Sequence, residues 1–264
     1  MGPLSWLGHQ LAHYLSAPRN GFSIATSRRG MLTASLRKGD VLLVEGSSRF
    51  SSAIRTITQS TWSHAALCVG DALAERYGSA PMLVEADIND GVRAIPAAHY
   101  AMLHTRICRP VGLRSDEIDA LAAYAIRRIG QQYDLRNVFD LARYLVHPPP
   151  VPQKYRRRLL SLGSGEPTRA ICSSLIAAAF ASIDYPVLPD IEVARNEGAD
   201  GKHQLLEILH IRDSRLYAPR DFDVSPYFRI IKPTLEHGFD PHELTWAERA
   251  TLPAEAGEGD APSP

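Results

Sequence analysis

Two residues far apart in the chain have the chemistry of a nucleophile and its base. His64 stands in Trp62-Ser63-His64-Ala65-Ala66-Leu67, and Cys172 in Ile171-Cys172-Ser173-Ser174-Leu175-Ile176. A thiol attacks a carbonyl carbon only as thiolate, and its reference pKa of about 8.5 leaves little anion at neutral pH unless an imidazole or a helix N-terminus favours it. Cys172 leads into an Ala-rich segment, Ser173 to Ile183, expected to be a short helix. The unpaired N–H groups of that first turn would stabilise a thiolate and a developing oxyanion alike. The competing reading is a buried structural cysteine, a common fate for a lone Cys in an apolar helix. Cys68 and Cys108 lie within apolar strand-like runs and read as core. His64 opens such a run, where a sheet can present a side chain to a cleft; the alternative is a histidine satisfied in the core or a turn.

Glu85 interrupts the otherwise apolar Met82-Leu83-Val84-Glu85-Ala86. A carboxylate buried there without a partner would cost several kcal/mol, so it requires a cation or good donors. If segments 64–69 and 82–87 pair antiparallel about a turn near residues 74 and 75, Glu85 falls opposite His64. One ring nitrogen would then be held and the other left for the thiol, the nucleophile, base and orienter of a triad. Ser63, Tyr133 and Ser173 are the neighbouring candidates for substrate binding or oxyanion support, with the Cys172 N–H as one oxyanion donor. No C-x-x-C or H-x-x-x-H ligand pair occurs, and Cys, His and Glu are scattered singly, so no metal is expected. Neither a G-x-S-x-G elbow nor a Gly-rich phosphate loop is present, and no cofactor is expected.

The elements that must position these residues follow from periodicity. Leu36-Arg37-Lys38-Gly39-Asp40 reads as a turn delivering a strand over Val41 to Glu45, and Ser48 to Gln59 as an amphipathic helix. His64–Val69 and Met82–Ala86 form a hairpin or meander, which Val92–Ile95 and Thr105–Arg109 extend. A helix capped by Ser115 runs toward Gly130, with Ile118, Leu121, Ala122, Ala125 and Ile129 on one face. A second helix is expected from about Leu135 to Val146, ended by His147-Pro148-Pro149-Pro150. The Pro-rich and basic stretch 147–168 then reads as a connector or a substrate-contacting lid, Pro186 to Pro189 as a turn and Tyr227 to Ile231 as a strand.

The 264 residues carry 29 basic and 29 acidic side chains, so no overall field steers the protein to nucleic acid. Three cysteines make no disulfide framework and suit a reducing compartment, so a cytoplasmic location is expected. Leu4, Leu7, Leu11, Tyr14 and Leu15 form a short apolar stripe without the features of an export signal. It reads as a packing helix, with membrane-surface contact through residues 4–15 as the alternative. No apolar run approaches the roughly 20 residues of a membrane span. The organisation expected is an N-terminal extension (1–35), a catalytic domain (36–232, with 147–168 inserted) and a C-terminal extension (233–264), its tail disordered from about residue 252. Oligomeric state leaves no mark in the sequence.

Gly39-Asp40-Val41-Leu42, Ser60-Thr61-Trp62-Ser63-His64-Ala65-Ala66-Leu67, Val84-Glu85-Ala86 with Gly91-Val92, Tyr133-Asp134 and Ile171-Cys172-Ser173-Ser174-Leu175 together resemble the circularly permuted papain-like NlpC/P60 superfamily, and within it the YiiX/YebB-like cysteine hydrolases. Pro219-Arg220-Asp221-Phe222-Asp223-Val224-Ser225-Pro226 is similar to a C-terminal stretch of that group, so the likeness spans roughly residues 36–232. It implies an α+β fold, a small antiparallel sheet or barrel packed on helices, with the histidine strand preceding the cysteine helix. It also implies that Cys172, His64 and Glu85 are nucleophile, base and acidic third member. Ser174 departs from the Glu that many relatives carry, and the 147–168 segment is a further departure. The expected activity is hydrolysis of an amide (peptide or N-acyl) or ester through a Cys172 thioester, on a small-molecule, peptide or lipid acyl substrate. Two alternatives stay open: a lipid acyltransferase or phospholipase on the same triad, and a non-catalytic binding or regulatory module.

Overall fold

The computed structural model describes residue 25 and residues 30–78, 81–87, 89–132, 171–197 and 203–244. Its centre is strand β1 (Val41–Val44), whose four residues Val-Leu-Leu-Val are all buried, so both faces of this strand are covered. β2 (His64–Gly70) flanks it on one side and β5 (Thr105–Pro110) on the other. β3 (Met82–Asp87) and β4 (Gly91–Pro96) continue outward from β2, and β8 (Phe228–Ile231) closes the far side. The order is β4-β3-β2-β1-β5-β8 with every neighbouring pair antiparallel. The α+β expectation holds, and the sheet is open rather than closed into a barrel.

The period of two along each strand sorts the core into two layers. Val41, Leu43, Ala65, Leu67, Val84 and Cys108 share one cluster with helices α3 (Ser115–Ile126) and α4 (Ile171–Ala181). Leu42, Val44, Ala66, Cys68, Leu83 and Ile107 form the other, covered by Leu32 of the short helix α1 (Met31–Ser35) and by Leu36, Ala97 and Tyr100. Between β1 and β2, helix α2 (Arg49–Thr58) begins where Ser48 accepts the Ser51 N–H, and it stops at Gln59, which is left-handed at φ 49°. Turn chemistry thus sets the loop that leads back to His64.

Three local expectations are revised. The N-cap of α3 is Arg114, whose N–H donates to Glu117 at 2.8 Å, so Ser115 is the first helical residue instead of the cap. Helix α4 is described from Ile171, so Cys172 lies within the helix and not ahead of it. A hairpin of β6 (Asp190–Glu197) and β7 (His203–His210) was not anticipated. It forms a separate two-stranded sheet with Ile191, Val193 and Leu209 exposed, so its apolar residues do not mark a core face. The expected helix near Leu135–Val146, the 147–168 segment, Tyr133, the N-terminal stripe and the C-terminal tail lie outside the described residues.

One buried ion pair ties the entry of β1 to β5. Asp40 is 1% exposed, and Arg109 grips it with two bonds of 2.8 Å while the Arg37 N–H adds a third at 2.8 Å. The same guanidinium donates to the Ser35 carbonyl at 2.8 Å, so it also anchors the end of α1. Burial pushes the Asp40 carboxyl upward against the pull of Arg109 and the Arg37 amide. Removing the cation strands that anion in the core. Arg109→Ala is expected to lower the unfolding free energy by about 3–5 kcal/mol, read from urea denaturation followed by circular dichroism.

Candidate active site

His64 is the first residue of β2, paired with Val44, and the chain entering it is pinned from several sides. Ser63 donates its N–H to the Val44 carbonyl at 3.1 Å, while its hydroxyl accepts the Gly46 N–H at 2.9 Å. Gly46 has to be glycine for a steric reason: a Cβ there would lie 2.2 Å from the Ser51 hydroxyl. Trp62 is buried and donates its indole N–H to Asp223 at 2.9 Å; Asp223 also accepts from Arg106 at 2.6 Å, and the Arg106 guanidinium lies 5.0 Å from the Trp62 ring centre. Asp223 belongs to helix α5 (Pro219–Val224), within the C-terminal stretch already singled out in the sequence.

Glu85 lies in the middle of β3 with a fully buried side chain. The β2–β3 register pairs Ala66, not His64, with Glu85, so the expected pairing is two residues out. A slip of two preserves the face. His64 therefore stays diagonal to Glu85 on the same side of the sheet, within reach of a long side chain. The His64 Nε2 to Glu85 Oε2 distance is 2.8 Å. Two further donors were not foreseen. Arg93, directly across β4 from Glu85, donates Nε–H to Oε1 at 2.9 Å, and the Tyr100 hydroxyl donates to Oε2. The arginine interrupting Gly91-Val92-Arg93-Ala94-Ile95 was the available signal: a lone cation in one apolar strand answers a lone anion in the next.

Cys172, 4% exposed, meets the histidine from α4. Its thiol is hydrogen-bonded to His64, accepts the Ala65 backbone N–H, and lies 3.9 Å from the buried Ser173 hydroxyl. With Nε2 committed to Glu85, the ring nitrogen left for sulfur is Nδ1. Ser63 and Ser173 thus both border the pair, although the Ser63 hydroxyl is already occupied by the Gly46 amide. His64, Cys172 and Ser63 line a cleft of ≈ 210 Å³ with Val44, Phe50 and Leu103 on its apolar wall and Ser47, Ser48 and Ser51 on its polar one.

The electrostatics run in one direction. Burial alone would raise the Cys172 thiol, but the His64 charge and hydrogen bond, the Ala65 amide and Ser173 outweigh it, and the thiol is lowered. Burial would likewise lower His64, yet the Cys172 and Glu85 anions hold the imidazole well above its usual 6.5. Glu85 is depressed to about 2 against its burial by His64, Tyr100 and Arg93. Its contribution to stability is therefore present above the ordinary carboxylate range and is lost as pH falls through about 2. His64 behaves oppositely: its contribution is full below about 6.5 and is lost as pH rises through its elevated folded value. The set favours a thiolate–imidazolium pair. Among the described residues no group of three or more His, Cys, Asp and Glu could hold a metal ion.

The other two cysteines differ by environment, not by type. Cys68 and Cys108 are 0% exposed, and burial pushes Cys68 up to about 12 and Cys108 higher still. Iodoacetamide at pH 7 is expected to alkylate Cys172 at least about tenfold faster than either, with the difference falling sharply in His64→Ala; peptide mapping by mass spectrometry reads the three rates.

No curated protein sequence matches the chain. A solved structure, the metalloprotein yiiX from Escherichia coli O157:H7, is similar at 17% identity over 74% of this chain and 96% of that one. The TM-score of that likeness is 0.44. Among the described residues no helix is long and apolar enough to cross a membrane. Residues 35–144 match the model of the permuted papain-like amidases. That family is described as permuted papain-like amidase enzyme, YaeF/YiiX, C92 family, and the matched segment holds His64 and Glu85 and ends short of Cys172.

Proposed function

We propose that the protein is a cysteine hydrolase that cleaves an amide, peptide or N-acyl, or an ester through a covalent thioester on Cys172. The observation that carries this reading is the continuous contact from Glu85 through His64 to the Cys172 thiol at an open cleft. In the resting pair the sulfur is anionic and the imidazole holds the proton. The thiolate attacks the substrate carbonyl carbon, and negative charge moves to the carbonyl oxygen. The Cys172 backbone N–H, adjacent to the attacking sulfur, is the candidate donor for that oxygen. As the tetrahedral intermediate collapses, His64 gives its proton to the leaving amine or alkoxide and the thioester remains. Neutral His64 then takes a proton from water, whose oxygen attacks the thioester and releases the carboxylate and the thiolate. Glu85 keeps the ring oriented throughout and stabilises each imidazolium that forms.

The reading is tested on panels of acyl amides, peptides and phospholipids with the full chain. Cys172→Ser is expected to lower kcat by about a thousandfold or more, and mass spectrometry of the unaltered protein should show a transient acyl adduct on the Cys172 peptide. Turnover that survives Cys172→Ser would sink it. Glu85→Gln keeps shape but loses charge and is expected to reduce kcat by about tenfold or more with little change in KM, since the carboxylate touches His64 rather than substrate.

A further inference from the structure

The triad accounts for only one of the three donors that Glu85 receives. The other two come from the next strand and the turn that follows it. Arg93 sits midway along β4, directly opposite Glu85, and its Nε–H takes Oε1. The remaining nitrogens of its guanidinium are engaged by Asp87, at 3.3 Å, and by Asp90. Two acids therefore aim the planar fork, and only its Nε–H is left to point inward. Four residues beyond the end of β4, Tyr100 closes a short 3-10 turn (Ala97–Tyr100) and delivers its hydroxyl to Oε2, the oxygen that also receives His64 Nε2. Its ring centre lies 6.0 Å from that of His64, and it is itself part of the cleft wall.

We infer that Arg93 and Tyr100 are positioning residues for the catalytic pair: they fix the Glu85 carboxylate in one orientation and as an anion, and through it present His64 Nδ1 to Cys172. The inference rests on the hydrolase reading for its catalytic meaning, but its physical content does not. A carboxylate with no exposed surface has no water to keep it ionised, and a single imidazolium that must also serve the thiol is one donor for two oxygens. Arg93 supplies a permanent charge on Oε1, so Glu85 is not required to recover a proton from His64. Tyr100 restricts the second oxygen. The charged and titratable groups facing this carboxylate are His64 from β2, Arg93 from β4, Tyr100 from the turn, and beyond His64 the thiol of Cys172 from α4. None of these carries a second anion onto Glu85 itself.

The sign of the expected effect follows. Without Arg93, burial dominates and Glu85 takes up a proton at a higher pH. Once neutral it no longer holds the imidazolium, and the thiolate reverts to thiol. The experiment follows two acid limbs in the full-length protein: the low-pH step in the His64 ring nitrogen NMR shifts, and the alkylation rate of Cys172 by iodoacetamide. In Arg93→Gln both limbs should move to higher pH by about one to three units. Tyr100→Phe should move them the same way by less, and Arg93→Lys, which keeps the charge, should restore most of the unaltered profile. Thermal unfolding of each variant separates this from loss of fold, because a purely structural Arg93 would lower Tm and leave the limbs in place. Folded Arg93→Gln with unaltered limbs overturns the inference; should Arg93→Gln not fold, folded Tyr100→Phe with unaltered limbs overturns it. A His64 limb that moves as stated while Cys172 proves no more reactive than Cys68 upholds the positioning role and removes the hydrolase reading instead.

Discussion

A carboxylate in the middle of a buried strand is the constraint around which this molecule is arranged. Glu85 has no contact with solvent, and an isolated anion in such a place would be neutralised or would unfold its surroundings. The fold meets it with donors from three directions: a histidine on the preceding strand, an arginine on the following one and a tyrosine from the turn beyond. Each of these has consequences outside the site. Arg93 needs β4 in register, Tyr100 needs the 3-10 turn to fold back under the sheet, and His64 needs the chain before β2 held still. The last requirement reaches farthest, since Trp62 is pinned by Asp223, 161 residues away, in a helix that also packs Phe222 into the core.

What was legible in the residues was whatever depends on short-range pattern. The apolar runs of β1 to β5 and the amphipathic spacing of α2 and α3 are local signals, and those elements lie where the spacing places them. The His64–Glu85 contact was legible for a less obvious reason. The pairing register was anticipated two residues away from the observed one, and the contact survives because the side-chain period of a strand is two. An error of one residue would have sent Glu85 to the opposite face. The pairing also shifts between Cys68 and Gly70, a bulge with no mark in the sequence that periodicity can read.

The remainder was opaque because it is long-range. Cys172 could be recognised as a residue at a helix start, but nothing in its neighbourhood distinguishes a reactive thiol from a core one; the difference is the imidazole that the sheet brings to it. Arg93 falls within the expected strand Val92–Ile95 and Tyr100 between expected elements, and their roles exist only once β3 and β4 are aligned. The β6–β7 hairpin fails for the reverse reason. Its strands carry Ile191 and Val193 on a surface that faces solvent, so the rule that alternation marks a buried face has nothing to act on.

Electrostatics explain why three buried cysteines of one chain differ. From β4 to α4 the charges alternate, with Arg93 positive, Glu85 negative, His64 positive and Cys172 negative, each in contact with the next. Every interior charge in that row has an opposite neighbour on both sides, and the row is neutral as a whole. That allows it to occupy a largely buried site without the desolvation cost of a single ion pair at its end being left unanswered. Cys68 and Cys108 lie in the same sheet and are equally dry, but no imidazole acts on them, and burial outweighs the Gly70 amide and Arg109 at Cys68 and Arg106 at Cys108. The lowering of the Cys172 thiol is thus a property of the row and not of the helix alone. The terminal position of sulfur in it is what leaves one side of that anion open to the cleft.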